Sequence, residues 1–251
     1  MFLCGGENIN SCKLQVTSCE LITILLLRFM LDALLFTKTS PLLSAVYPDC
    51  LWKVNTREKI LYLTFDDGPI AEITPFVLDE LKRCNAKATF FCIGKNIESN
   101  PEIFQRIIDE GHSIGNHTYD HLNGWSHSDE EYFKNIEKCA AVLNLRSSPD
   151  KEVGMKQIFN LQLFRPPYGK LKPSQYSKLK SEYKLVMWDV LSFDFDLKME
   201  EEKVLQNVLK NAETGSIVVM HDSLKAKPKV EYALPKILEH FSKKGFVFNA
   251  L

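Results

Sequence analysis

Residues 60–69 read Ile60-Leu61-Tyr62-Leu63-Thr64-Phe65-Asp66-Asp67-Gly68-Pro69, and the fold turns on this stretch. A short apolar run, bounded by a turn and rich in aromatic and branched side chains, predicts a buried strand. It ends at two aspartates and a Gly-Pro turn. Thr74 then offers an N-cap and Pro75 a first-turn residue. Val77, Leu78 and Leu81 recur at helical spacing, so the next element is an amphipathic helix. A strand followed by a helix is the repeating unit of a parallel sheet.

The same unit recurs towards the C-terminus. Ala88–Gly94 predicts a second strand. Asn100-Pro101 opens a helix carrying Ile103, Phe104, Ile107 and Ile108, and Gly111 closes it. His112–His117 predicts a third strand. Ser128 and Glu131 form a capping box ahead of Phe133, Ile136, Ala140 and Leu143. Residues 146–157, polar and containing Pro149 and Gly154, predict a loop. Four apolar runs follow, Gln162–Arg165, Leu185–Val190, Ser216–His221 and Phe246–Leu251. One intervening helix carries Val204, Leu205, Val208 and Leu209; another carries Leu234, Ile237, Leu238 and Phe241 and stops at Gly245. About seven strands without a dinucleotide fingerprint predict an α/β fold, a closed or nearly closed parallel barrel in a single domain. No repeat or linker interrupts the chain after residue 50.

Composition narrows the function. The chain has 251 residues, 45% of them apolar, enough for a sizeable core. Thirty-one basic against 32 acidic residues give a net charge of −1, which argues against a phosphate-driven nucleic-acid binder. Seven cysteines form no Cys-x-x-Cys pair, and reduced, mostly buried thiols are expected. Leu21–Leu27 resembles a short signal-peptide core, but Arg28 and Asp32 interrupt it. Residues 1–29 read as an extension or the product of an early start codon, with Met30 as an alternative start. Membrane association through residues 21–36 is the competing reading.

Chemistry-capable residues sit where a parallel fold gathers ligands. Asp66, Asp67, His117, Arg165, Asp189 and His221 all fall at the C-terminal ends of apolar runs. His117 and His121 are four apart, so on a helical turn their imidazoles share a face. Two histidines plus a carboxylate make a three-ligand metal site with open positions. Of Asp66 and Asp67, one can bind metal while the other takes a proton from water. Asp120 is expected to face solvent or to orient a histidine. Pro166 restricts Arg165 to extended geometry, and a held guanidinium can make a two-pronged contact with a carboxylate. Tyr168, after both prolines, can offer a free backbone N–H as an oxyanion donor, or its ring can simply pack. His221 can donate a proton, oriented by Asp194 or Asp189. Trp188 reads as core.

Taken in order, Thr64-Phe65-Asp66-Asp67-Gly68-Pro69, His117-Thr118-Tyr119-Asp120-His121, Arg165-Pro166-Pro167-Tyr168-Gly169, Trp188-Asp189 with Asp194, and Val219-Met220-His221-Asp222 resemble the motifs of the polysaccharide deacetylases. This is the NodB-homology superfamily classed as carbohydrate esterase family 4, and the likeness runs over roughly residues 58–251. The resemblance implies a distorted (β/α) barrel with fewer than eight units. It implies Asp66 as the catalytic base, held by Arg165, and Asp67, His117 and His121 as ligands of a divalent metal. Zinc is the first candidate, with cobalt or another divalent ion as alternatives. It implies that the Tyr168 amide shares the oxyanion with the metal and that His221 is the general acid, paired with Asp194. Two positions depart from the family pattern: Phe195 stands where tryptophan is usual, and Val219 where leucine is usual. Both line the family's pocket for the acetyl methyl group, so a reshaped pocket is expected.

The expected function is therefore metal-dependent removal of N-acetyl groups from a glycan, with no nucleic-acid partner. Cleavage of an O-acetyl ester or a small cyclic amide, or glycan binding without catalysis, are the alternatives. Residues 1–50 are expected to be an N-terminal extension or leader and 51–251 the catalytic domain. A soluble cytoplasmic location is expected, with export or a membrane-associated leader as the alternative.

Overall fold

The computed structural model describes residues 37–146 and 163–251. The predicted loop beyond Arg146 and the apolar segment at 21–36 lie outside the described residues. Among the described residues, no helix is long and apolar enough to cross a membrane.

The chain runs α1 (Pro41–Val46), β1 (Ile60–Asp66), α2 (Thr74–Arg83), β2 (Ala88–Cys92), α3 (Gly94–Ser99), α4 (Pro101–Asp109), β3 (Ser113–Asn116) and α5 (Asp129–Arg146). It continues through β4 (Leu163–Phe164), a 3-10 turn (Pro167–Gly169), α6 (Pro173–Glu182), β5 (Lys184–Leu185) and β6 (Val190–Leu191). It ends with α7 (Glu201–Asn211), β7 (Ile217–His221), α8 (Lys227–Lys243) and β8 (Val247–Phe248). The strands lie in the order β5-β4-β3-β2-β1-β7-β6, all parallel, in a curled half-barrel flanked by helices. Short β8 wedges beside the start of β1: Val247 N–H donates to Lys59 O and Lys87 N–H to Phe248 O. The parallel barrel predicted from the strand–helix alternation is thus the observed architecture.

Strand alternation sorts β1 into two jobs. Leu61, Leu63 and Phe65 join the core under the helices, with Val77, Leu81, Leu234 and Ile237. Phe65 stacks on Phe90 with ring centroids 5.2 Å apart. Each such fully buried side chain contributes about 1.5–3 kcal/mol. The intervening residues Thr64 and Asp66 face the concave side and are buried there as polar groups. That inward row is where the site is built.

Three local expectations need correction. The run Leu185–Val190 is not one strand; it is broken into β5 and β6, with residues 186–189 between them. Thr74 does not cap α2. Its hydroxyl accepts Ile70 N–H and donates to Asp222 instead, and Ile73 occupies the N-cap without a side-chain bond. Asp189 lies at the wrong end of the sheet: it precedes β6, and its N–H pairs with Ile217 O at the start of β7. The capping box at α5 is present, with Glu131 N–H on Ser128 Oγ and Ser128 N–H on Glu131 Oε2.

Residues 37–53 form a strap across the seam between β5 and β6. Thr39 N–H donates to Asp189 O, Leu51 N–H to Leu185 O, and Met187 N–H to Leu51 O. Lys38 reaches Asp189 at 2.8 Å and Glu213 at 3.0 Å. The four described cysteines are all free; Cys92 and Cys139 are buried, Cys50 and Cys84 partly so.

Candidate metal and acid–base centre

The end of β1 delivers two adjacent carboxylates to one place. Neighbouring strand residues point to opposite faces, but Asp67 has φ 85°, in the left-handed region. A non-glycine residue there costs about 1–3 kcal/mol and needs its surroundings to hold it. The chain turns at once, so Asp66 and Asp67 both serve the concave face.

His117 follows β3, and His121 comes from the loop after it. The loop is not helical, contrary to the expectation from the four-residue spacing: Thr118 has φ 63° and His121 φ 59°. Side chains of neighbouring segments fix it. Asn116 Oδ1 accepts Thr118 N–H, and Asn135 Oδ1 accepts the N–H groups of both Tyr119 and Asp120. Asp120 is exposed and takes a bond from Asn135 Nδ2, so it braces the loop from the solvent side.

Asp67 Oδ1 lies 3.3 Å from His121 Nε2 and 3.8 Å from His117 Nε2. One ligand atom from each of the three residues falls within 4.8 Å of the others. His117 Nδ1 bonds to Arg165 O at 2.7 Å, which places its proton on Nδ1 and turns the Nε2 lone pair towards Asp67. Burial lowers the pKa of His117 well below its usual value, with His121 adding to the effect, and burial also lowers that of His121. Both imidazoles are therefore neutral, the form that binds metal. Asp67 Oδ1 is buried without a hydrogen-bond partner. Such an atom is costly unless a cation satisfies it. The donor set, one carboxylate oxygen and two imidazole nitrogens, fits a divalent ion such as zinc.

Arg165 leaves β4 fully buried and lies against the Phe91 ring, 4.1 Å from its centroid. The expected two-pronged grip on a carboxylate is absent. Only Nη1 reaches Asp66 Oδ1, at 2.7 Å, and it also reaches Thr64 Oγ1. Nε and Nη2 donate to Val186 O and Met187 O. These carbonyls belong to the break between β5 and β6, and the guanidinium supplies donors that a neighbouring strand would otherwise provide.

His221 ends β7, beside Asp66 in the strand register. Asp194 accepts from it twice: Oδ1 meets Nδ1 at 2.7 Å and Oδ2 meets the main-chain N–H at 2.7 Å. Burial opposes a charge on this imidazole, but Asp194 outweighs it, helped by Asp67 and Asp66, and raises the pKa from 6.5 to about 9. Asp194, not Asp189, is thus the partner of His221. Asp189 bonds to Lys38 and Ser216.

Two exposed rings sit beside the cluster. Tyr168, at φ 59° in the 3-10 turn, lies 4.6 Å from the His121 ring. Phe195 packs edge-on to His221 at 5.1 Å. Val219 and Trp188 are buried in the core. One residue escaped the sequence reading. Asp222, next to His221, is completely buried and bonds to Gly68 N–H and the Thr74 hydroxyl. Its position at a strand end was a visible signal, but its partners are about 150 positions away, beyond any local rule.

Known proteins have related sequences and the same fold. Residues 53–186 match the family model described as polysaccharide deacetylase. A Bacillus cereus peptidoglycan-N-acetylglucosamine deacetylase is 36% identical over 199 residues, 78% of this chain and 88% of the relative. The Bacillus subtilis peptidoglycan-N-acetylmuramic acid deacetylase is 30% identical over 206 residues, 81% of this chain and 74% of the relative. A crystal structure of a peptidoglycan N-acetylglucosamine deacetylase superposes with a TM-score of 0.73 at 33% identity, covering 83% of this chain and 94% of its own. The parallel half-barrel, the cluster at its strand ends and these likenesses converge: the chain belongs to the polysaccharide deacetylase family, and the relatives named above are deacetylases, hydrolases of amide bonds.

Proposed function

We propose that this protein removes N-acetyl groups from a glycan by metal-assisted hydrolysis, and that Asp67, His117 and His121 hold the metal. The carrying observation is that a held carboxylate and a held imidazole occupy paired strand positions beside one three-ligand cluster. A divalent cation bound there supplies Lewis acidity, polarising the acetyl carbonyl and acidifying the attacking water. Asp66 takes the water's proton on Oδ2, since Oδ1 is engaged by Arg165. Arg165 holds that carboxylate in place through its bond to Oδ1. The Tyr168 main-chain N–H steadies the developing oxyanion. His221, with Nδ1 occupied by Asp194, delivers the proton on Nε2 to the amine nitrogen, which leaves poorly unless protonated. The exposed rings of Tyr168 and Phe195 offer faces for the sugar.

The relatives' names make peptidoglycan the first substrate to try. The test is acetate release from peptidoglycan, N-acetylglucosamine oligomers and O-acetylated xylan, before and after chelation and with zinc or cobalt restored. Acetate from an N-acetylated glycan only when metal is restored is the expected result. Release from xylan alone would make the protein an esterase. No release from any metal-loaded sample would leave a glycan-binding module.

The acid imposes a pH signature. His221 must be protonated to act, so activity is held through neutral pH and falls on the alkaline side. A cation beside Asp67 can only lower the limit, so the alkaline limb lies no higher than about 9. Asp194→Asn removes the charge that raises the pKa and is expected to move that limb down by about 1–3 pH units. The same pairing favours the folded state. That contribution is complete below pH 6.5 and is lost as pH rises through about 9. An unmoved alkaline limb in kcat against pH would remove His221 from the acid role.

A further inference from the structure

Asp222 has no part in the proposed proton transfers, yet it controls the turn that carries both aspartates. Its Oδ1 accepts Gly68 N–H at 2.9 Å, and its own N–H donates to Asp66 O at 3.1 Å. These two groups belong to the peptide planes on either side of Asp67. Fixing both planes fixes φ and ψ at Asp67, and so the direction in which its carboxylate leaves the chain. Asp222 Oδ2 accepts the Thr74 hydroxyl at 2.6 Å, and that hydroxyl accepts Ile70 N–H at 2.8 Å. The far side of the turn is thus tied to the same carboxylate. Asn96 Nδ2 adds a bond to Asp67 O at 2.7 Å. The approach is so close that a β-carbon on Gly68 would stand 1.9 Å from Asp222 Oδ2, so glycine is required there.

We propose that Asp222 is a positioning residue that sets the affinity of the Asp67–His117–His121 cluster for a divalent cation, by holding Asp67 in its left-handed conformation. This rests on the metal reading given above. It makes the fifth motif serve two ends: His221 faces the reaction, and the next residue braces the first motif from behind.

The test is a cobalt(II) titration of the full chain, read by visible absorption and by competition with a chelator. The unaltered protein, Asp222→Ala, Asp222→Asn and Thr74→Val are compared, with circular dichroism reporting the fold. Asp222→Ala is expected to weaken cobalt binding by about 10–100-fold, the usual scale for groups that orient metal ligands, and to change the cobalt spectrum. Asp222→Asn keeps an acceptor for Gly68 N–H at the same volume and should recover most of the affinity. Unchanged affinity and spectrum in a folded Asp222→Ala overturn the proposal, as does an equal loss in Asp222→Asn, which would indicate charge and not position. If Asp222→Ala fails to fold, Thr74→Val decides: weaker cobalt binding supports the proposal and unchanged binding ends it. Failure of the unaltered protein to bind cobalt at all would instead sink the metal reading.

Discussion

Asp66→Asn is expected to lower kcat for acetate release by about 10²–10⁴-fold, the range that a positioned general base supplies. The substitution keeps the shape of the side chain and leaves an amide oxygen to accept from Arg165 Nη1, which now meets Asp66 Oδ1 at 2.7 Å. Folding should therefore survive. Cobalt affinity should also survive, because Asp66 is not among the three residues of the cluster. The signature is a protein that loads metal normally and turns over almost nothing. Steady-state kinetics together with a cobalt titration measure both halves. A kcat equal to that of the unaltered protein would take the base role from Asp66.

Arg165→Leu is expected to be the most destabilising single change at the site, by about 3–5 kcal/mol, the cost of removing one partner of a buried ion pair. Asp66 is only 4% exposed and would be left as an uncompensated buried charge. Val186 O and Met187 O would lose their guanidinium donors in the same step. For a chain of this size the loss corresponds to a fall in Tm of about 6–20 °C. Urea unfolding measures the stability loss directly. Combining the change with Asp66→Asn should recover part of it, because the stranded charge is gone, while the carbonyls stay unpaired. A single-variant loss below about 1 kcal/mol, typical of an exposed pair, would show that the guanidinium is not the keystone its contacts imply.

What could be seen in the sequence was whatever a few neighbouring residues decide. The β1 strand, the amphipathic faces of α4 and α8, the glycine stops and the Ser128–Glu131 capping box all follow from side-chain period and backbone preference within one element. The order of the motifs along those elements was also visible, and with it the gathering of Asp66, Asp67, His117, Arg165 and His221 at one end of the sheet. Failures came where a local rule met a distant partner. Thr74 looks like an N-cap until Asp222, 148 positions later, claims its hydroxyl. The spacing of His117 and His121 suggests a helical turn until Asn135 pins the loop in another shape.

The amino-acid sequence by itself determined a parallel strand–helix fold and nominated the side chains able to do chemistry, because hydrophobic period and chemical type are written residue by residue. Only the tertiary structure decided that Asp194 holds His221 at both its ring and its main-chain N–H, that Arg165 spends most of its donors on the broken seam, and that Asp222 braces the turn at Asp67. Those choices are made by hydrogen bonds between segments far apart in the chain. Which acceptor a buried donor finds depends on the strand order and register that bring the segments together.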